Sequence, residues 1–337
     1  MSSEPKHDHP TREVTNSGDG YQQIDAKETD RQLSRYFANN FDRYTEFVPL
    51  SKGGSGLLQT CRDNNLGRTV VMKVLHKQLA NHEHLRARFL REARVTAQLQ
   101  HPNTVPVYEI GHDREGRLYF TMKHVEGDTL RDILEQQVLG DHRIIEKYNL
   151  DRLLGVVIQV CNALAYAHAH GVVHRDVKPE NILIGTFGEV ILLDWGVAKV
   201  WAMDDEPEQA GMEYQELTDV GQRPGTPLYM SPEQVRGGGK IDLRTDVYSI
   251  GVVLYEILTL KEPLRGERVT ETFEMIVKEE PIPPAERTPN RQIPRLLASI
   301  AMKALSKDPS SRYQSMPELV DALREFRSRA IQSLTNQ

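Results

Sequence analysis

Apolar and polar positions follow two rhythms along the 337 residues, and the change between them divides the chain. Residues 44–75, 105–110 and 118–125 hold short apolar runs broken by glycine or polar turns, which predicts strands. One helical segment interrupts them. Residues 84–99 carry Leu85, Phe89, Thr96 and Leu99 near helical spacing, are built of helix formers and stop before His101-Pro102-Asn103. Beyond residue 130 the helical period dominates, first at 130–136 and then at 151–170. In the longer segment Leu154, Val157, Ile158, Cys161 and Ala165 fall on one face and predict a core helix, with His168 and His170 in structural positions near its end. Residues 181–184 and 190–193 read as short strands around a turn at 186–188. Further helices are predicted at 242–260, with an acid, Asp246, among its apolar residues, and at 271–278, 295–305 and 317–329, with a proline-rich linker at 281–289. Strands first and helices after predict an α+β protein.

Residues 1 to about 30 are rich in Ser, Glu, Asp, Thr and Gly, and bury too little to offset the entropy of ordering, so a disordered extension is expected there. Tyr36, Phe37, Phe41 and Tyr44 recur at helical spacing and predict a short helix on the domain edge. The expected organisation is an extension at 1–43, a domain at 44–329 and a tail at 330–337. A mass of 38.4 kDa allows more than one core. A net charge of -6 argues against a nucleic-acid or membrane-surface partner, which selects for basic patches. Cys61 and Cys161 have neither metal-ligand spacing nor a disulfide framework, and read as buried small hydrophobes in a reducing compartment. No apolar run is expected to reach the roughly 18 residues that span a bilayer, and no leader pattern opens the chain, so the expectation is a cytoplasmic protein without a membrane segment.

Candidate chemistry concentrates at residues 172–183, between an apolar helix and an apolar strand. Asp176 is placed to accept a hydroxyl proton, Lys178 to meet negative charge, and Asn181 to offer an oxygen to a hard cation. Upstream, Ser51-Lys52-Gly53-Gly54-Ser55-Gly56 would let backbone amides approach phosphate, although alone such a cluster is more simply a hairpin turn. It precedes Lys73, a lone lysine on an apolar strand. Asp194-Trp195-Gly196 puts a second acid at a strand end.

In this order the motifs resemble the eukaryotic-type protein kinases, with the catalytic loop H-R-D-x-K-x-x-N in its serine/threonine variant. The runs Arg-Phe-Leu-Arg-Glu-Ala and Met-Ser-Pro-Glu are most similar to bacterial serine/threonine protein kinases. The resemblance implies a bilobal kinase fold, with a small β-rich N-lobe carrying one main helix at 44–124 and a larger, mostly helical C-lobe at 125–329. It implies ATP and magnesium between the lobes. Ser51, Gly53, Gly54, Gly56 and Leu58 would form the phosphate loop, and Val71 would lie over adenine. Lys73 would grip the inner phosphates, held by Glu92. Met122 would be the rear wall, and backbone groups of Lys123 and Val125 would bond adenine. Asp176 and Lys178 would be catalytic, and Asn181 and Asp194 would hold magnesium. Arg175 would bind a phosphate on the acidic activation segment, with Thr218 the foremost acceptor and Tyr214 and Thr226 behind it. Thr226 would also bond Asp176 and Lys178. Glu233 would pair with Arg312, and Asp246 would hold the catalytic-loop backbone. Three positions depart from the pattern: Ser51 replaces a glycine, Val71 a smaller residue and Trp195 a phenylalanine. Thr129 stands where some families that prefer basic peptides carry glutamate, so no arginine preference follows.

The implied activity is transfer of the ATP γ-phosphoryl group to serine or threonine hydroxyls of proteins, regulated by autophosphorylation, with a homodimer as the arrangement for phosphorylation in trans. A catalytically silent nucleotide-sensing scaffold is the alternative, supported by Ser51, Val71 and Trp195 and opposed by intact Asp176, Asn181 and Asp194. A small-molecule phosphotransferase would not need residues 225–233, which shape a peptide groove. Thr96 aligns with a position usually larger, and Trp195 is expected to fill the space it leaves. Trp195→Phe should therefore not raise the melting temperature, as thermal unfolding would show.

Overall fold

A computed structural model describes residues 40–52, 56–80, 82–196, 198–200, 227–237 and 241–335. Tyr36, Phe37, Gly53, Gly54, Tyr214, Thr218 and Thr226 lie outside the described residues. The first described element is a single 3-10 turn, Phe41–Arg43, whose Asn40 cap accepts from the Asp42 amide. Tyr44 therefore opens a strand and is not the end of a helix. Phe41 still has an aromatic partner set, meeting Tyr119 edge-on and stacking on Phe47.

Five antiparallel strands form the first layer, in the order β1 (Tyr44–Lys52), β2 (Gly56–Asp63), β3 (Arg68–Leu75), β5 (Leu118–Lys123) and β4 (Val107–His112). β4 begins two residues later than its apolar run suggests, because Pro106 has no amide to give a ladder. β5 stops at Lys123, whose N–H turns away to the Pro106 carbonyl. Asp113 shapes the turn between them by accepting from the Glu115 and Arg117 amides. Helix α1 (Glu83–Gln98) buries Phe89 and Ala93 against Leu75, Leu118 and Phe120 on one face of the sheet. On the other face Tyr44, Cys61, Val70, Met72, Val74 and Tyr119 form a second small cluster. Alternation of side chains along each strand supplies both clusters from one sheet.

The larger layer is helical and has one continuous core. It contains β6 (Gly127–Thr129), α2 (Leu130–Val138), α3 (His142–Lys147), α4 (Leu150–Ala169), β7 (Val172–Val173), β8 (Ile182–Gly185), β9 (Val190–Leu192) and β10 (Lys199–Val200). The remaining helices are α5 (Pro232–Arg236), α6 (Arg244–Thr259), α7 (Val269–Lys278), α8 (Pro284–Arg287), α9 (Arg295–Ala304) and α10 (Met316–Thr335). Thr129 caps α2 through a capping box with Asp132. Only residues 124–126 separate β5 from β6. Glu126 is itself fixed, its carbonyl accepting from Thr186 N–H at 2.9 Å. Gly127 lies so close to β8 that a Cβ would fall 2.2 Å from the Ile184 carbonyl oxygen.

α4 is long and apolar enough to cross a membrane by length and composition, although no apolar run of that length was expected. It is also the central helix of the core, with Leu154, Val157, Cys161 and Leu164 fully enclosed between α6 and α10. α10 continues to Thr335, past the residue 329 expected from its periodicity, since no glycine or proline stops it and Glu325 and Arg329 pair one turn apart. Cys61 and Cys161 are free and buried, and burial pushes both thiols up to about 12, so neither is a ready nucleophile.

α6 and α9 touch where both are small. A Cβ on Gly251 would lie 2.9 Å from Ala304 Cβ and 3.1 Å from the Ala304 carbonyl carbon. Alanine is a better helix former than glycine by about 1 kcal/mol, but overpacking a core costs about 1–3 kcal/mol. Gly251→Ala is therefore expected to lower stability by about 1 kcal/mol in urea denaturation, against its helix propensity.

Candidate active site

Asp246 opens α6 with its side chain fully buried. Its Oδ1 accepts from Arg175 N–H at 2.8 Å and its Oδ2 from His174 N–H at 2.9 Å, while His168 Nε2 lies 2.7 Å from Oδ2. Burial alone would raise this carboxyl's pKa, but the His168 bond and the backbone donors hold it below the usual carboxylate range. An ionised acceptor requires the His168 nitrogen to be the donor.

The loop hung from Asp246 has one left-handed residue, and the turn that follows β9 has another. Arg175 has φ +71 and Asp194 φ +62, conformations that cost a non-glycine residue about 1–3 kcal/mol unless their surroundings impose them. The His174 ring fixes a third amide, Asp176 N–H, through Nδ1 at 3.2 Å, and its Nε2 donates to the Leu193 carbonyl at 3.1 Å. Trp195 is fully buried with its ring 4.5 Å from that of His174, and its indole N–H has no partner among the described residues. Thr96 is also buried, and its hydroxyl is turned back to the Glu92 carbonyl. The melting temperature of Trp195→Phe thus weighs an unpaired donor against lost volume.

On this frame Asp176 Oδ2 receives Lys178 Nζ at 2.6 Å and Asn181 Nδ2 at 3.2 Å. Asn181 Nδ2 also donates to the Asp176 carbonyl at 2.8 Å, which leaves its Oδ1 as an oxygen donor. Burial opposes the charge of Lys178, but Asp176 raises its pKa and keeps it an ammonium. Lys73, on β3, meets Glu92 of α1 at 2.5 Å, both nearly buried. Burial disfavours charge on the pair, but Glu92 and Asp194 together raise the Lys73 ammonium, and the contact is that of an ion pair. Asp194 is exposed just beyond β9. Its surroundings oppose charge, and Lys73 and Lys178 overcome them, holding its pKa at about 2. Lys73, Lys178 and Asp194 therefore meet electrostatically, although they come from different layers. Among the described residues no three His, Cys, Asp or Glu side chains form a ready metal cage.

The nucleotide-side residues are brought together in part. Val71 is buried opposite Met122 in the β3–β5 ladder, and Leu58 stands opposite Lys73. Ser51 belongs to β1, and Gly56 opens β2. Lys123 gives its N–H to the Pro106 carbonyl, so a bond to a base at this residue would fall to its own carbonyl. Arg312 lies flat on Glu233 through two bonds of 2.7 and 2.8 Å.

Several partners were not read from the sequence. Arg131 of α2 joins Glu180 at 3.1 Å, Glu256 at 2.6 Å and the Tyr229 hydroxyl. Glu256 carried the same signal as Asp246, an acid inside an apolar helix. Asn103 donates to the Val190 carbonyl at 2.8 Å, and Thr104 bridges to Leu192, so the segment after α1 is stitched to β9. Gln234 bonds the Arg175 carbonyl, and no periodicity marks it.

The family model described as protein kinase domain matches residues 44–322. A serine/threonine-protein kinase PknD of Protochlamydia amoebophila (strain UWE25) is 38% identical over 297 residues, 85% of this chain and 30% of that protein. Proteins of the same name from Chlamydia felis (strain Fe/C-56) and Chlamydia trachomatis serovar D are each 36% identical, over 84% of this chain and 31% of theirs. The chain thus spans about a third of the length of the curated relatives it matches.

Removing Arg312 would orphan a carboxylate that is largely enclosed. Burial would push Glu233 up, and Arg312 instead holds it below the usual range. A depressed carboxyl contributes stability above its unfolded pKa of about 4.3 and loses it as pH falls through the lower folded value. Arg312→Met is expected to cost about 3–5 kcal/mol at pH 7, and the difference from wild type should narrow below about pH 4, where the orphan is protonated. Denaturant titrations at the two pH values measure both.

Proposed function

The chain belongs to the protein kinase family, and on that premise we propose that it transfers the ATP γ-phosphoryl group to serine or threonine hydroxyls of protein substrates. The observation that carries the proposal is the convergence on the Asp176 carboxylate, whose Oδ2 receives Lys178 Nζ at 2.6 Å and Asn181 Nδ2 at 3.2 Å. Phosphoryl transfer needs little covalent help and much positioned charge. Lys73, steadied by Glu92, would bind the inner phosphates. Asp176 would orient the acceptor hydroxyl and take its proton on Oδ1, since Oδ2 is engaged by Lys178 and Asn181. Lys178 would offset charge on the phosphoryl group in transit.

The oxygen donors Asn181 Oδ1 and Asp194 fit magnesium, which keeps to hard oxygen ligands and completes its sphere with substrate phosphates and water. When bound, the ion would neutralise phosphate charge. Leu58, Val71 and Met122 would enclose the adenine side, with Val125 the backbone contact beyond Lys123. The domain would begin at about residue 44, with its lobes meeting near residue 124. Arg175 would receive a phosphate carried by the acidic segment before Tyr229, Thr218 being the foremost acceptor, and two copies would exchange it in trans. A reducing, cytoplasmic setting would agree with two free, enclosed thiols.

Incubation of the chain with magnesium and labelled ATP, beside Asp176→Asn, tests this. Removal of the carboxylate should lower transfer by about 10²–10⁴-fold, the usual share of a positioned base. Label mapped to Thr218 or its neighbours should vanish with it. Nucleotide bound without transfer by either protein would favour the silent scaffold.

A further inference from the structure

Each peptide group that fixes Asp176 can be traced to a partner. Asp246 takes the amides of His174 and Arg175, the His174 ring takes the Asp176 amide, and Asn181 takes the Asp176 carbonyl. The remaining group is the Arg175 carbonyl, one bond from the base and next to the left-handed φ of +71. It accepts from Gln234 Nε2 at 2.8 Å. Gln234 is 4% exposed, so water cannot replace it easily. Of these anchors it alone comes from the segment that closes the activation region.

Its other end is also engaged. Gln234 is the N3 residue of α5, and its Oε1 accepts from Ser231 N–H at 3.0 Å and from the Ser231 hydroxyl at 3.2 Å. Ser231 in turn reaches Thr245, whose hydroxyl donates to Glu233 at 2.9 Å. One amide therefore has two separable tasks: its oxygen caps α5, and its nitrogen holds the catalytic loop.

We propose that Gln234 is a positioning residue for the phosphoryl-transfer step, coupling the seating of α5 to the orientation of Asp176 through the Arg175 carbonyl. The inference rests on the kinase reading of the same site. Without Gln234 the peptide group of the Arg175 carbonyl is held only through its N–H, that of Asp176, by the His174 ring at 3.2 Å. The strained φ can then relax, and the relaxation moves the carboxylate of Asp176 without touching Lys73, Glu92 or the nucleotide contacts. Small displacements of reacting groups by distant substitutions can cost as much as about 10²-fold in rate.

Gln234→Glu separates the two tasks. Glutamate serves equally at N3 of a capping box, so the α5 cap is retained, but it has no donor for the Arg175 carbonyl. With ATP, magnesium and dephosphorylated casein, Gln234→Glu in the full chain is expected to lower kcat by about 10-fold or more with KM for ATP unchanged. Hydrogen exchange followed by mass spectrometry should quicken across residues 173–178 and stay as in wild type across α5. Gln234→Ala should lose both protections. An active wild type with Gln234→Glu of equal kcat overturns the proposal, as does a loss that falls on KM for ATP or on α5 exchange. If wild type transfers nothing to casein or to itself, the kinase reading fails. The exchange pattern then decides alone whether Gln234 holds the loop, and unchanged exchange at 173–178 overturns it.

Discussion

A carboxylate removed from water is stable only when donors surround it, and Asp246 meets that demand with the backbone of the loop that does the chemistry. The dependence is mutual. The left-handed residue at Arg175 would relax in a looser setting, and three donors converging on one acceptor make relaxation expensive. Because Asp246 sits on α6, in the middle of the helical core, the placement of Asp176 is inherited from packing rather than from local loop preference. The sheet layer contributes one charge to the same place, Lys73, and holds it by a pair with Glu92 that is itself nearly buried.

The other enclosed charges follow the same logic at greater range. Arg312 joins residues 79 positions apart and uses its remaining donors on the carbonyls of Arg244, Ser306 and Lys307, so that no part of the guanidinium is left unpaired. Arg131 does the same for Glu180 and Glu256. Such pairs do not add much net stability over apolar packing, but they admit one arrangement of the elements they join. Here they join α2, the catalytic loop, α5, α6 and the turn that precedes α10.

What could be read before the structure was known divides along the same line. Apolar periodicity located α4 and α6 to within two residues, and acids standing alone in apolar surroundings pointed to Asp246. The resemblance pointed to Glu92 as the partner of Lys73, and the two side chains do meet; the spacing of Asp176, Lys178 and Asn181 singled out three side chains that the structure brings together. Gln234, Asn103 and Arg131 were not legible, because a polar side chain bonding a distant carbonyl has no periodic signature and many residue types could stand there. Bounds failed where local hydrogen bonding overrode pattern, as at Pro106, which delays β4, and at Tyr44, which starts a strand where aromatic spacing suggested a helix.

The crossing between the layers is short. Gly127 is pressed against β8, Glu126 is bonded to Thr186, and Thr129 already caps α2, so the chain regains rigidity almost at once after Lys123. A joint with so few free torsions works as a pivot rather than a slide. Any change of angle between the two layers is therefore concentrated in the few torsions of His124 and Val125.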